Sequence, residues 1–113
     1  MATLTVTDIS RSGVDIAGVA AAAGGDQFAN TGAEFLLVAN AGGAPITVTL
    51  ATAETVDGLA VADRTVAVSN GVGKVIGPFL RHAYSDANGM VQITYSDVTS
   101  VGVKVLRLTP AGA

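Results

Sequence analysis

Residues 34–50 constrain the fold of this chain more than any other stretch. Phe35, Leu36, Leu37, Val38 and Ala39 form an unbroken apolar run, Asn40, Ala41, Gly42, Gly43, Ala44 and Pro45 break it, and Ile46, Thr47, Val48, Thr49 and Leu50 then alternate strictly. Continuous apolarity over so few residues fits a strand covered on both faces, and period-two alternation fits a strand covered on one. The pattern predicts a hairpin of two strands.

Similar alternation recurs along the chain. Leu4 and Val6 alternate with Thr3, Thr5 and Thr7, and Val14, Ile16 and Val19 continue as a second strand beyond the turn-rich residues 8–13. Residues 20–23 are alanines, too few to nucleate a helix unaided, and read as a strand end leading into a loop over 24–32. Phe28 sits inside that loop. It pins the loop to the core or, on a sharper reading, anchors a partner, since aromatic residues are enriched at interface centres.

Asp57-Gly58 marks a turn before the short apolar piece 59–61. Val66 and Val68 face inward from a strand over 64–68, and Asn70-Gly71 signals a hairpin returning over 73–76. Gly77-Pro78 ends that strand. Residues 79–84 are irregular, with room for one helical turn, and a second Asn-Gly turn at 88–89 precedes alternation through Val91, Ile93 and Tyr95. Val101, Val103 and Val105 alternate until the phase slips at Leu106, which implies a bulge or a strand covered on both faces. Residues 109–113 read as a tail. The tally is about eight short antiparallel strands at roughly ten-residue spacing, an all-β sandwich or barrel forming a single domain over residues 1–113.

Composition narrows the function. Only 13% of the residues are charged, about half the usual share, and such an apolar surface suits packing against partners or copies of itself. The net charge of −3 and the scattered Lys and Arg residues argue against nucleic acid, which needs a basic face. No run approaches the roughly 18 apolar residues of a membrane span, and the first residues lack the layout of a signal peptide. With one histidine, His82, and no cysteine, a catalytic triad or a multi-histidine zinc site is not expected. Gly71, Gly73 and Lys74 miss the phosphate-loop pattern, and Asp86, Asn88 and Gly89 lack the spacing of a calcium loop. No enzyme activity, cofactor or metal is expected.

Residues 20–50, with Gly24-Gly25-Asp26 and Phe28-Ala29-Asn30, resemble small structural proteins of tailed bacteriophages. So do Thr55-Val56-Asp57-Gly58-Leu59, Asp63-Arg64-Thr65-Val66, Ile76-Gly77-Pro78-Phe79, Tyr84-Ser85-Asp86 and Val91-Gln92-Ile93-Thr94-Tyr95. The resemblance is to head decoration, or cement, proteins. It implies a β-sandwich or jelly-roll domain, frequently a homotrimer, on the outer capsid surface of the virion, made in the host cytoplasm and bound to the major capsid protein.

On that reading Leu4 and Val6 are candidates for strand addition to a capsid sheet, and Phe79, Leu80, Arg81, His82 and Tyr84 for loop contact. A tail-tube, head–tail joining or fibre-base component, and a glycan-binding module, are the alternatives.

Overall fold

The structure, a computed structural model, describes residues 2–52 and 55–108; the tail expected at 109–113 lies outside them. Among the described residues there are twelve strands: β1 (Ala2–Thr3), β2 (Val6–Asp8), β3 (Val19–Ala20), β4 (Asp26–Ala29), β5 (Glu34–Asn40), β6 (Ile46–Leu50), β7 (Thr55–Val56), β8 (Leu59–Ala60), β9 (Arg64–Val68), β10 (Val72–Ile76), β11 (Met90–Tyr95) and β12 (Val101–Arg107). One helical turn, α1 (Arg81–Tyr84), occupies the irregular segment where the sequence left room for it.

One sheet has the order β1-β4-β11-β6-β9. The other has the order β10-β5-β12-β2, with β3 also on β12, and β7-β8 is a separate hairpin. The molecule is a slab 41 × 40 × 20 Å, a thickness that fits two layers at the roughly 10 Å spacing of stacked sheets. The chain is therefore all-β, as its periodicity requires, with two sheets stacked face to face.

The core lies between the sheets. Phe28, Val48, Leu50, Val68, Val91 and Ile93 contribute from one side and Leu36, Val38, Val101, Val103 and Val105 from the other. These are the inward positions of the alternating strands, and aliphatic residues fill most of the space because aromatic ones are few. Val105 and Leu106 are both buried, and the β12–β5 register runs unbroken from Val101 to Arg107. The phase slip therefore marks no bulge: at Leu106 alone the outward position of β12 is covered as well.

Several local expectations are corrected. Residues 34–50 are not a hairpin: β5 and β6 lie in opposite sheets. The side-chain amide of the buried Asn40 donates to Ala44 O (2.9 Å) and Val68 O (3.1 Å) and its oxygen accepts from Gly42 N (3.0 Å), so it holds the crossover. Asn70-Gly71 does not make a hairpin either, because β9 and β10 also belong to different sheets. Gly71 has φ 75° while Asn70 is not in the left-handed region. A type I′ turn needs positive φ at both central residues, so the turn that the Asn-Gly pair signals is not formed here. From β3 onward every link passes between the sheets except β6 to β9, which runs through the β7-β8 hairpin. That hairpin does turn at Asp57 (φ 54°) and Gly58 (φ 79°), as the sequence indicates.

Part of the loop expected at 24–32 is strand β4, with Asp26 and Phe28 facing in. Val14 and Ile16 are in no strand, and Ile16 is 72% exposed. The first strand is split: β1 pairs with β4 and β2 with β12, both in parallel. The segment thus closes one side of the sandwich, touching both sheets, with Leu4 entering the core between them.

Gly18 lies so close to β12 that an added Cβ would stand 2.4 Å from Val103 O. Gly18→Ala is expected to cost about 1–3 kcal/mol by forcing backbone apart. A shift of the denaturation midpoint reads this, and an unchanged midpoint would contradict the close approach.

Candidate functional site

The two outer faces of the sandwich differ. On the β4–β11–β6–β9 sheet, strand alternation turns Gln27, Gln92, Thr94, Thr47, Thr49 and Thr65 away from the core. Gln92 Nε2 donates to Gln27 Oε1 (2.8 Å) and Gln27 Nε2 to Thr3 Oγ1 (3.0 Å), a polar ladder across three strands. On the other sheet the outward positions are Phe35, Leu37, Ala39, Gly73, Val75, Gly102, Lys104 and Leu106. That face is aliphatic, and Val75 stands 65% exposed on it. A shallow apolar cleft of about 250 Å³ crosses it, with Ile16 at one margin and Val75 at the other.

The residues singled out by sequence divide into two groups. Leu4, Phe28 and Phe79 are core residues, 6%, 0% and 2% exposed. They cannot touch a partner without unfolding. Val6 is half-buried and paired with Val105; strand addition through Leu4 and Val6 would require releasing pairs already made within the chain. Leu80, Arg81 and His82 are exposed and Tyr84 is half-buried, so these four share one corner.

That corner is built from the core outward. Phe28 and Phe79 rings lie 5.8 Å apart, and Phe79 meets Tyr84 edge-on at 5.3 Å. Such tilted pairs are favoured by the ring quadrupoles. The buried Asn30 donates to Phe79 O and to Ser85 Oγ, both at 3.2 Å, and accepts from Gly32 N at 3.0 Å. The turn after β4 thereby holds both ends of the 79–85 segment, and Leu80 is left outward at 62% exposure.

A second cleft, of about 470 Å³, opens between β9 and β10 beside this corner. Arg64, Lys74, Val75, Leu80 and Tyr84 border it. Arg64 Nε donates to Tyr84 Oη (3.0 Å), and Lys74 Nζ donates to Ala67 O (2.8 Å). Among the described residues neither cation has a carboxylate partner. Sequence reasoning missed Arg64, Lys74 and Val75. One signal was available: Val75 and Ile76 are adjacent, so a strand that turns Ile76 into the core turns Val75 to the outer face.

Carboxylates elsewhere do structural work. Asp86 Oδ1 accepts from Asn88 N (2.8 Å) and Met90 N (3.0 Å), and Oδ2 accepts from Gln92 Nε2 (2.8 Å). Hydrogen bonds from Met90 N, Gln92 and Asn88 N hold its pKa below the ordinary carboxylate value. The Asp86-Asn88-Gly89 turn thus uses its own carboxylate to start β11. Asp26, wholly buried, accepts from Tyr95 Oη at 2.7 Å and from Ala22 N at 3.2 Å. Burial first, then the Asp26 hydrogen bond and charge, push the Tyr95 pKa well above that of an ordinary phenol.

In comparisons with known proteins, no family model matches the chain, and no curated protein or solved structure matches it.

Proposed function

We propose that this chain is a virion structural protein of a tailed bacteriophage, a head decoration protein that binds the outer capsid surface and bridges major capsid protein subunits. The observation that carries the reading is the pairing of an all-β slab with one aliphatic outer face, on a chain of low charge. Strand order supports a jelly roll: β2-β12-β5-β10 lies over β4-β11-β6-β9, with links that alternate between sheets. The resemblance in the turn and strand motifs supplies the virion role, and with it no catalysis and no cofactor.

The mechanism is mechanical. A shell under internal pressure parts between capsomers, and a protein touching several subunits adds interface across those seams. Self-association, as a homotrimer, multiplies modest contacts through effective concentration. The Thr- and Gln-lined face stays hydrated while the aliphatic face around Leu37 and Ala39, with Arg81 and His82 of α1, presses on the shell.

Co-sedimentation with capsids lacking the protein tests this. Saturable binding, weakened roughly ten-fold or more by Ile16→Asp or Ala39→Asp on the aliphatic face, is the expected result. Failure to sediment with capsids at micromolar concentration would overturn it.

A further inference from the structure

One side of the sandwich is sealed and the other is open. Residues 2–8 cover β4 and β12, with Leu4 buried between the sheets. At the opposite side β9 and β10 end their sheets, and no described strand pairs with their outer edges. Unpaired edges of this kind are templates for a second chain unless blocked. Lys74 blocks one position by capping Ala67 O. The rest of the cleft offers two cations, Arg64 and Lys74, beside two exposed aliphatic side chains, Val75 and Leu80.

The same surface carries an apolar element that packs on little of its own chain. The β7-β8 hairpin exposes Val56 to 63%, Leu59 to 72% and Val61 to 37%. Asp57 sits at its tip and Asp63 at its base. Neither has a cationic partner among the described residues; Asp63 Oδ1 accepts from Thr52 N at 3.0 Å. A two-stranded hairpin is marginal in isolation and gains stability by covering its apolar side.

We propose that the β7-β8 hairpin of one copy docks in the β9–β10 cleft of a second copy. Val56 and Leu59 cover Val75 and Leu80, and Asp57 and Asp63 meet Arg64 and Lys74. Charge complementarity selects this occupant: the hairpin combines aliphatic side chains with carboxylates, and the cleft combines aliphatic side chains with cations. Hairpin and cleft are different patches, so the contact is heterologous. It closes into a ring, or becomes reciprocal where a two-fold axis lets each copy donate and receive. The proposal assigns surfaces to the self-association put forward above and does not depend on capsid binding.

The absence of cysteine makes the test direct. A Leu59→Cys chain mixed with a Leu80→Cys chain is oxidised gently and run without reductant. A disulfide between the two variants joins separate molecules by necessity. The expected result is a mixed covalent dimer in clear excess over either homodimer, together with a mass above the monomer by light scattering for the unmodified chain.

Leu59→Asp, and separately the double variant Arg64→Glu/Lys74→Glu, should weaken self-association at least about ten-fold; the thermal transition of dilute Leu59→Asp should be unchanged because that side chain is exposed, while the double variant's should fall slightly because it also gives up the hydrogen bonds to Tyr84 and Ala67. A monomer up to millimolar concentration, cross-links no more frequent between variants than within one, or association indifferent to both substitutions would each overturn the proposal. Loss of capsid binding by chains that still self-associate would count against the decoration reading alone.

Discussion

Phe28→Ala is expected to destabilise the protein by about 3–5 kcal/mol, the range for removing a large aromatic side chain from a packed core. Phe28 is fully buried on β4, in contact with Phe79. Its loss leaves a void between the two sheets and removes the support on which Phe79 and then Tyr84 rest. Domains of this size hold only about 5–15 kcal/mol in total, so the variant should lose up to most of its margin. Chemical denaturation gives the number. Hydrogen exchange gives a second readout, with amides of residues 79–85 losing protection before those of β5 and β12. A loss below about 1 kcal/mol would mean that Phe28 is not the keystone its burial implies.

The second large effect concerns Glu34. This carboxylate is wholly buried, yet Arg107 Nε lies 2.7 Å from Oε2, Thr31 N 2.7 Å from Oε1, and Thr31 Oγ1 2.9 Å from each oxygen. Arg107 also reaches Asp8 at 3.5 Å, which ties β2 to the network. Desolvation, the largest single influence, pushes the Glu34 pKa up. The Thr31 backbone hydrogen bond, the Arg107 and Thr31 side-chain hydrogen bonds and the Arg107 charge together outweigh it, and the pKa lies below the ordinary value.

Glu34→Gln should therefore cost about 2–3 kcal/mol near neutrality, since it puts a buried amide where the Thr31 and Arg107 donors need two acceptor oxygens. The pH dependence has a definite sign. The folded carboxyl titrates below its unfolded counterpart, so the contribution is complete above the unfolded value of about 4.3 and is lost as pH falls through the folded pKa. Stability of the unmodified protein should fall below about pH 4.5, and the gap between it and Glu34→Gln should narrow over the same window. A gap that stays constant from pH 7 to 3 would show that Glu34 carries no such linkage.

Strand positions were legible because alternation is local. Val91, Ile93, Val101, Val103 and Val105 face inward as their spacing requires, and Asp57-Gly58 turns where those residue types favour positive φ. Sheet membership was not legible. A run such as 46–50 alternates identically whether it pairs with its neighbour in sequence or crosses the core from it. The deciding contacts belong to Asn40 and Asn30, polar residues that read as loop formers and in fact tie distant segments together from buried positions.

The candidate surface was legible in half. The 79–84 segment stood out by its irregularity, and four of its side chains reach the surface or its margin. The cleft beside it depends on where β9 and β10 end their sheets, and no local pattern carries that information. The N-terminal segment was read correctly as strand-forming, but its partners on β4 and β12, remote in sequence, were not legible, because no local pattern names a partner.

That remoteness sets an order of events during synthesis. Asp8 and Arg107 are 99 positions apart, so the place that receives β2 does not exist until β12 has left the ribosome. Leu4 and Val6 stay uncovered on their β12 side until then. Their setting among Thr3, Thr5 and Thr7 keeps this waiting ribbon wettable, which lowers the hazard that an early-made apolar strand presents to neighbouring nascent chains.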